Sequence, residues 1–212
     1  MSKTITLDRV PLGGIFTLDG MRFVKLNGDN EAAFVLTEDT PADMGFVQFE
    51  DDDASRDDHN NFNGSLVQKE IERWVRDKHK PIFDAIVERP IDLTTMDGMT
   101  DYGCPLTVAR ILTIDEYRKH RRFIPLTDKP YWLATGWTTA SSPSSRTGRA
   151  YCIDTDGTVD YDNVYFAYFA PRPAFNLKSQ ILVSFEDGEE SKELSDYTEL
   201  ELLGELQRRV QK

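Results

Sequence analysis

Cysteine is scarce in this chain. Of 212 residues only Cys104 and Cys152 are cysteines, and no C-x-x-C pair occurs, so neither a disulfide framework nor a zinc ribbon is supported. The two thiols are expected to be buried and free. The three histidines, His59, His79 and His120, lie in separate segments, whereas zinc ligands come in close pairs; all three are expected at the surface. No apolar run is long enough to span a bilayer, and M-S-K-T-I-T-L-D at the start lacks the basic and then apolar regions of a signal peptide. The expected location is therefore the cytoplasm of a host cell, or a virion, with no membrane contact. Positive charge is also short: 25 Lys and Arg against 37 Asp and Glu give a net charge of -12. That balance disfavours nucleic-acid backbone binding, which depends on Lys and Arg displacing counterions. No G-x-S-x-G, H-E-x-x-H, P-loop or G-x-G-x-x-G is present. The expectation is a non-enzymatic protein with no catalytic residues, no cofactor and no metal.

Apolar residues make up 39% of the chain and aromatics 11%, enough to build a core for one medium domain. Short strands are expected over Ile5 to Val10, Ile15 to Leu18, Met21 to Leu26 and Ala32 to Leu36. Turns at Asp19-Gly20 and Asn27-Gly28 would fold the later ones into an antiparallel meander. The acidic run Glu50 to Asp58 reads as a solvated loop. Ser65, with Gln68 three residues on, forms a capping box for a helix that places Val67, Ile71, Trp74, Val75 and Lys78 on one face. Thr113 and Glu116 repeat the box for a second helix reaching about Arg121. After Pro130 the composition favours strands: Tyr131 to Thr135, Arg149 to Asp154, Thr158 to Tyr161 and Val164 to Phe169, with a hairpin turn at Asp156-Gly157. The Ser- and Thr-rich stretch Thr138 to Gly148 reads as an exposed loop. Residues 1–184 form the domain, 185–197 an acidic linker and 198–212 a short amphipathic helix.

The order L-T-I-D-E-Y (112–117), Y-W-L-A-T (131–135), A-Y-C-I-D-T-D-G-T-V (150–159) and A-P-R-P-A-F-N-L (170–177), preceded by D-G-M-T-D-Y-G (97–103), resembles an uncharacterised domain family of Firmicutes and their phages. More distantly, the same order of helix, Trp-containing strand, hairpin and Arg-containing closing strand is similar to C-type-lectin-like folds of the formylglycine-generating-enzyme and phage variable-protein kind. The resemblance implies an α+β domain in which two helices pack on a twisted antiparallel sheet, with late strands and loops as a binding face. The sequence departs from those families in three places. The calcium-dependent sugar-binding tripeptides and the paired copper-binding cysteines are absent, and Ala170-Pro171 replaces the Gly-Val common at the closing strand.

Asp154, Asp156, Asp160 and Asp162 have the carboxylate density of a calcium loop but not the EF-hand spacing, so a hairpin turn is the better reading. Trp132 is read as core. Arg172, between two prolines, is read as a structural cross-link to a carboxylate or to backbone carbonyls. Trp137, Tyr151, Tyr161, Tyr165 and Tyr168, near Arg146 and Arg149, have the composition of an interaction hot spot, although core packing remains open for each ring. The hypothesised face combines the loop 138–148 with a hairpin from Tyr161 to Phe169. In the last helix Leu200, Leu203, Leu206 and Val210 form a stripe that docks on its own domain or in a partner groove. The expected partner is a host or phage protein, with a glycan as the other possibility. The rivals are an anti-defence inhibitor acting through its acidic surface and an oligomeric virion component.

Overall fold

A computed structural model describes residues 2–50 and 56–186. Four strands open the chain: β1 (Ser2–Thr6), β2 (Ile15–Leu18), β3 (Met21–Gly28) and β4 (Ala32–Thr37). Helix α1 (Leu66–Lys78) runs into the single turn α2 (Lys80–Phe83), and a two-residue ladder joins β5 (Arg89–Pro90) to β6 (Leu106–Thr107). Helix α3 (Ile114–His120) precedes β7 (Tyr131–Gly136), β8 (Arg149–Ile153) and β9 (Val159–Asn163). The described chain closes with β10 (Ala174–Lys178) and β11 (Leu182–Glu186). The architecture is α+β with antiparallel sheets. The main sheet has the order β1-β11-β2-β3-β4-β10, and β7-β8-β9 form a second sheet.

Local chemistry accounts for most of these boundaries. Asp19 and Gly20 have φ of 51° and 74°, the geometry of a type I′ turn, and Leu18 duly faces Met21 across the hairpin. Asn27-Gly28 is not the next turn. Pairing shifts between Lys25 and Asn27, a bulge, and the chain reverses at residues 29–31, where the Asp29 carboxylate accepts the Glu31 and Ala32 N–H groups at 2.8 Å each. The first strand ends at Thr6 because Leu7–Arg9 coils into a 3-10 turn. Lys25 holds that turn: its buried ammonium donates to the carbonyls of Leu7, Asp8 and Val10 at 2.8 to 3.0 Å. Burial pushes its pKa down.

Both helix starts carry their expected caps, with one difference. Thr113 and Glu116 complete a reciprocal box at 3.2 and 3.0 Å. Ser65 accepts from Gln68 N–H at 3.2 Å, but the Gln68 side chain accepts from Gly64 and donates to Thr107, so that box is half made. Val67, Ile71, Trp74 and Val75 are buried, while Lys78 is exposed and pairs at 2.8 Å with Asp43, the carboxylate that also accepts from the Trp74 indole.

The closing block divides between two sheets. β10 pairs with β4, and β11 lies between β1 and β2, so the two ends of the described chain share one sheet. Phe185 and Glu186 are therefore strand and not linker; Phe185 is buried opposite Lys3 and Phe16. Val164 to Phe169, expected as a strand, is irregular. The Asn163 side chain accepts the Tyr165 N–H at 3.0 Å and bends the chain, and the backbone then bonds to residues 47–49. At Asp156-Gly157 only the glycine has positive φ, 83°, which gives a three-residue hairpin loop in place of a type I′ turn.

Six buried residues in a row mark both β4 and β7, whose two faces are each covered. On one side Phe23, Val35 and Phe175 pack with Ile71 and Val75 of α1 and with Trp132. On the other, Val24, Leu36 and Ala174 pack with Ile114 and Tyr117 of α3 and with Leu133. The indole of Trp132 is fully buried, donates to the Val47 carbonyl at 2.9 Å and meets the Phe169 ring at 4.2 Å. Arg172 is 1% exposed. Its guanidinium donates to the carbonyls of Thr37 (3.1 Å), Pro125 (3.1 Å) and Glu38 (2.5 Å) and lies over the Tyr131 ring. Burial lowers its pKa, with Tyr131 opposing the shift. Arg172→Met keeps much of the volume but leaves three carbonyls without their donor. The expected loss is about 3 kcal/mol, read as a lower urea midpoint at unchanged m-value.

Candidate functional site

The end of β7 is held by Asn60. This fully buried side chain donates to the carbonyls of Thr138 (3.1 Å) and Arg149 (2.8 Å) and accepts from the Tyr102 hydroxyl at 2.6 Å. Gly136 permits the approach, since a Cβ there would lie 2.7 Å from the Asn60 amide. Trp137 follows at once, its N–H bonded to the Arg149 carbonyl at 3.0 Å.

Four of the sequence-predicted residues meet here. The Trp137 and Tyr151 rings are parallel within 4° at 5.7 Å, and Tyr161 stands edge-on to Trp137 at 3.9 Å. The Arg149 guanidinium lies over the Tyr161 ring at 5.1 Å. Tyr151 is buried as the floor of this ledge, Trp137 is half-buried, and Tyr161 is 37% exposed on the edge strand β9. Arg146 is exposed nearby, its backbone N–H donated to Thr138 Oγ1 at 2.6 Å. Two predicted members lie elsewhere. Tyr165 turns toward the core and packs edge-on to His59 at 5.6 Å. Tyr168, 65% exposed, pairs with Phe166 at 5.5 Å on the irregular stretch after Asn163. The missing strand is the cause: without pleat alternation, Phe166, Ala167 and Tyr168 all face outward.

The loop 138–148 is only partly exposed. Thr138, Thr139 and Ser142 are buried, and D-G-M-T-D-Y-G ties them down. Asp101 accepts from Thr139 (3.0 Å) and Ser141 (2.8 Å), and Asp97 accepts from Ser142 and Thr95 (2.6 Å each). The hydroxyls hold the Asp101 carboxyl below the usual carboxylate range. Burial works against the Asp97 carboxylate, yet its hydrogen bonds still leave its pKa lowered.

No protein-family model, curated protein or solved structure matches the chain.

A second concavity was not anticipated. A cleft of about 400 Å³ opens between α3 and the outer edge of the main sheet, lined by Phe34, Asn27, Asn176, Arg110, Lys119 and His120 among others. Arg110 is 4% exposed, pairs with Glu116 and lies over the Phe34 ring at 4.7 Å. Its Nε is buried without a hydrogen-bond partner. His120 is buried, against the surface expectation, with its ring edge-on to Phe34 at 6.2 Å; burial and then the Lys119 charge push its pKa down. Arg89 pairs with Asp29 and Glu31 at the rim. One signal in the sequence marks this place: Arg110 is the lone charge in T-V-A-R-I-L, where a buried strand would be apolar throughout.

Several other expectations resolve differently. Glu50 is no solvated residue: it is fully buried and pairs with Arg56 at 3.0 Å, while 51–55 lie outside the described residues. Cys152 is buried, and burial pushes its thiol up to about 12, but Cys104 is exposed. Among the described residues no three His, Cys, Asp or Glu side chains cluster as a metal site, and no helix is long and apolar enough to cross a membrane. Asp154 and Asp156 accept local turn N–H groups at 2.7 and 2.8 Å. Leu200, Leu203, Leu206 and Val210 lie outside the described residues.

Depressed carboxyls stabilise above their unfolded pKa, and that contribution is lost as pH falls through the lower folded value. The hold on the loop should therefore be complete at pH 7 and fade only under strong acid. Asp97→Asn combined with Asp101→Asn should weaken it at pH 7, with hydrogen exchange across 138–146 about tenfold faster and exchange in α1 unchanged.

Proposed function

We propose that this protein is a non-enzymatic binding module that captures a protein partner through the ledge of Trp137, Tyr161 and Arg149. The observation that carries the reading is the convergence of these side chains on a pinned frame. Two partly exposed aromatic rings and a guanidinium stand at one strand end, fixed from below by Tyr151, Asn60 and the Asp97–Asp101 hydroxyl network. Rigid rings give contact area at little entropic cost, and Arg gives directed hydrogen bonds. Arg118 extends the cationic character of the place: it hydrogen-bonds Asp115 and approaches the sulfur of Met96, which is 44% exposed. A partner surface with carboxylates around an apolar centre fits this composition.

The family resemblance in the closing block supports the same reading, as does its more distant likeness to C-type-lectin-like domains, in which late strands and loops carry recognition. The Trp-containing strand β7 and the hairpin of β8 and β9 supply the ledge in that manner. In this proposal the acidic remainder of the surface keeps the module soluble and the ledge provides the contact.

Trp137→Ala, Arg149→Ala and Tyr161→Ala should each reduce capture of the cognate protein at least about tenfold, the scale of a hot-spot residue. Leu182→Ala, an exposed position in β11 of the main sheet and outside the ledge, serves as the control. Capture is read by quantitative pull-down from host lysate, and folding by circular dichroism. Equal capture by all three ledge variants would refute the reading.

A further inference from the structure

We propose that the cleft beside α3 binds a small oxyanion, a phosphate ester or carboxylate on a compact polar body. The site is separate from the aromatic ledge and does not depend on the partner-binding reading.

Polar groups around this cleft are left without protein partners. Arg110 is more than nine-tenths buried, which demands that its donors be met, because a buried unpaired polar group costs more than a typical hydrogen bond returns. Glu116 takes one Nη, and the Phe34 ring takes the guanidinium face. The Nε–H has no acceptor among the described residues and is closed to solvent, so the guanidinium acts on the cleft through its charge. The buried His120 ring stands in the wall of the cleft, with the exposed Lys119 and Asn27 and the half-buried Asn176 around it. Among the described residues, the Lys119 ammonium, the His120 ring nitrogens and the side-chain amides of Asn27 and Asn176 have no hydrogen-bond partner, and all four residues line the same cavity as Arg110.

These groups are mostly donors. Arg and Lys can only donate, and each Asn offers two amide hydrogens beside its carbonyl. The acidic groups nearby are occupied: Glu116 accepts from Arg110 and the Thr113 N–H, and Asp29 accepts two backbone N–H groups and faces Arg89. A ligand that matches such a lining presents acceptor oxygens with negative charge. The wider charge of -12 opposes this weakly, since exposed charges beyond about 8 Å are screened at physiological ionic strength. Phe34 gives the floor an apolar patch, and a volume of about 400 Å³ exceeds what a bare anion fills. The ligand therefore carries a body of a few further heavy atoms. The spacing of Glu116, Lys119 and His120 on α3, three and four residues apart, puts one helix face into the cavity.

The test is thermal denaturation and calorimetric titration of the full chain at constant ionic strength, with inorganic phosphate, ribose 5-phosphate, succinate and uncharged ribose as probes. Ribose 5-phosphate or succinate should raise Tm in a saturable way, whichever responds naming the head group, with inorganic phosphate weaker and ribose silent. Lys119→Gln, an exposed position that leaves the Arg110–Glu116 pair intact, should weaken binding at least about fivefold, and Asn176→Ala, at the far wall, should do the same. Lys119→Arg should retain binding. The proposal is overturned if no charged probe saturates up to about 10 mM, a Kd beyond which a built site loses meaning. A response unchanged in both Lys119→Gln and Asn176→Ala also overturns it.

Discussion

The guanidinium of Arg172 is the tie on which the rest of the structure depends. Pro171 and Pro173 flank it, and neither has an N–H, so the backbone entering β10 cannot supply ladder donors of its own there. The side chain makes up the deficit with three backbone carbonyls: two from the end of β4 and one from the segment after α3. Among the described residues no carboxylate pairs with it. The charge is met by carbonyl dipoles and the face of Tyr131, which a planar guanidinium engages together through its edge and its face.

From that tie the segment 170–178 reaches both sheets. Ala170 bridges Tyr131 of β7, Ala174 bridges Arg110, and β10 then completes the edge of the main sheet against β4. The position of Arg110 in the cleft and the position of β7 under the ledge thus follow from the same stretch of chain. Helix α3 stands between the two places. Arg118 reaches toward Met96, on the side of the ledge, while Glu116, Lys119 and His120 line the cleft.

Where a feature was set by neighbours in sequence, it was legible. Asp19-Gly20 turns as its φ preferences require, Thr113 and Glu116 cap α3, and the apolar period of α1 buries the residues it picks out apart from Lys78. Where a feature depended on competition between equally good local signals, the reading failed. Asn27-Gly28 had turn chemistry, but the Asp29 carboxylate two residues later captured the N–H groups that define the reversal. Val164 to Phe169 had strand composition, but Asn163 bent the chain before any partner strand could form. Among the ledge residues Trp137, Tyr151, Tyr161 and Arg149 came together because β7, β8 and β9 formed as expected; Tyr165 and Tyr168 fell outside with the lost strand.

The sequence by itself determined the Asp19-Gly20 turn, the Thr113–Glu116 cap, the buried face of α1 and the composition of the aromatic block, because each rests on a few residues acting within one or two turns of chain. Only the tertiary structure decided which sheet the closing strands join, that β1 and β11 pair across 176 to 184 residues, and that Arg110 stands beside Lys119, His120 and Asn176. Those relations depend on long-range pairing and on the accounting of buried donors and acceptors, which closes only when the distant segments are in contact.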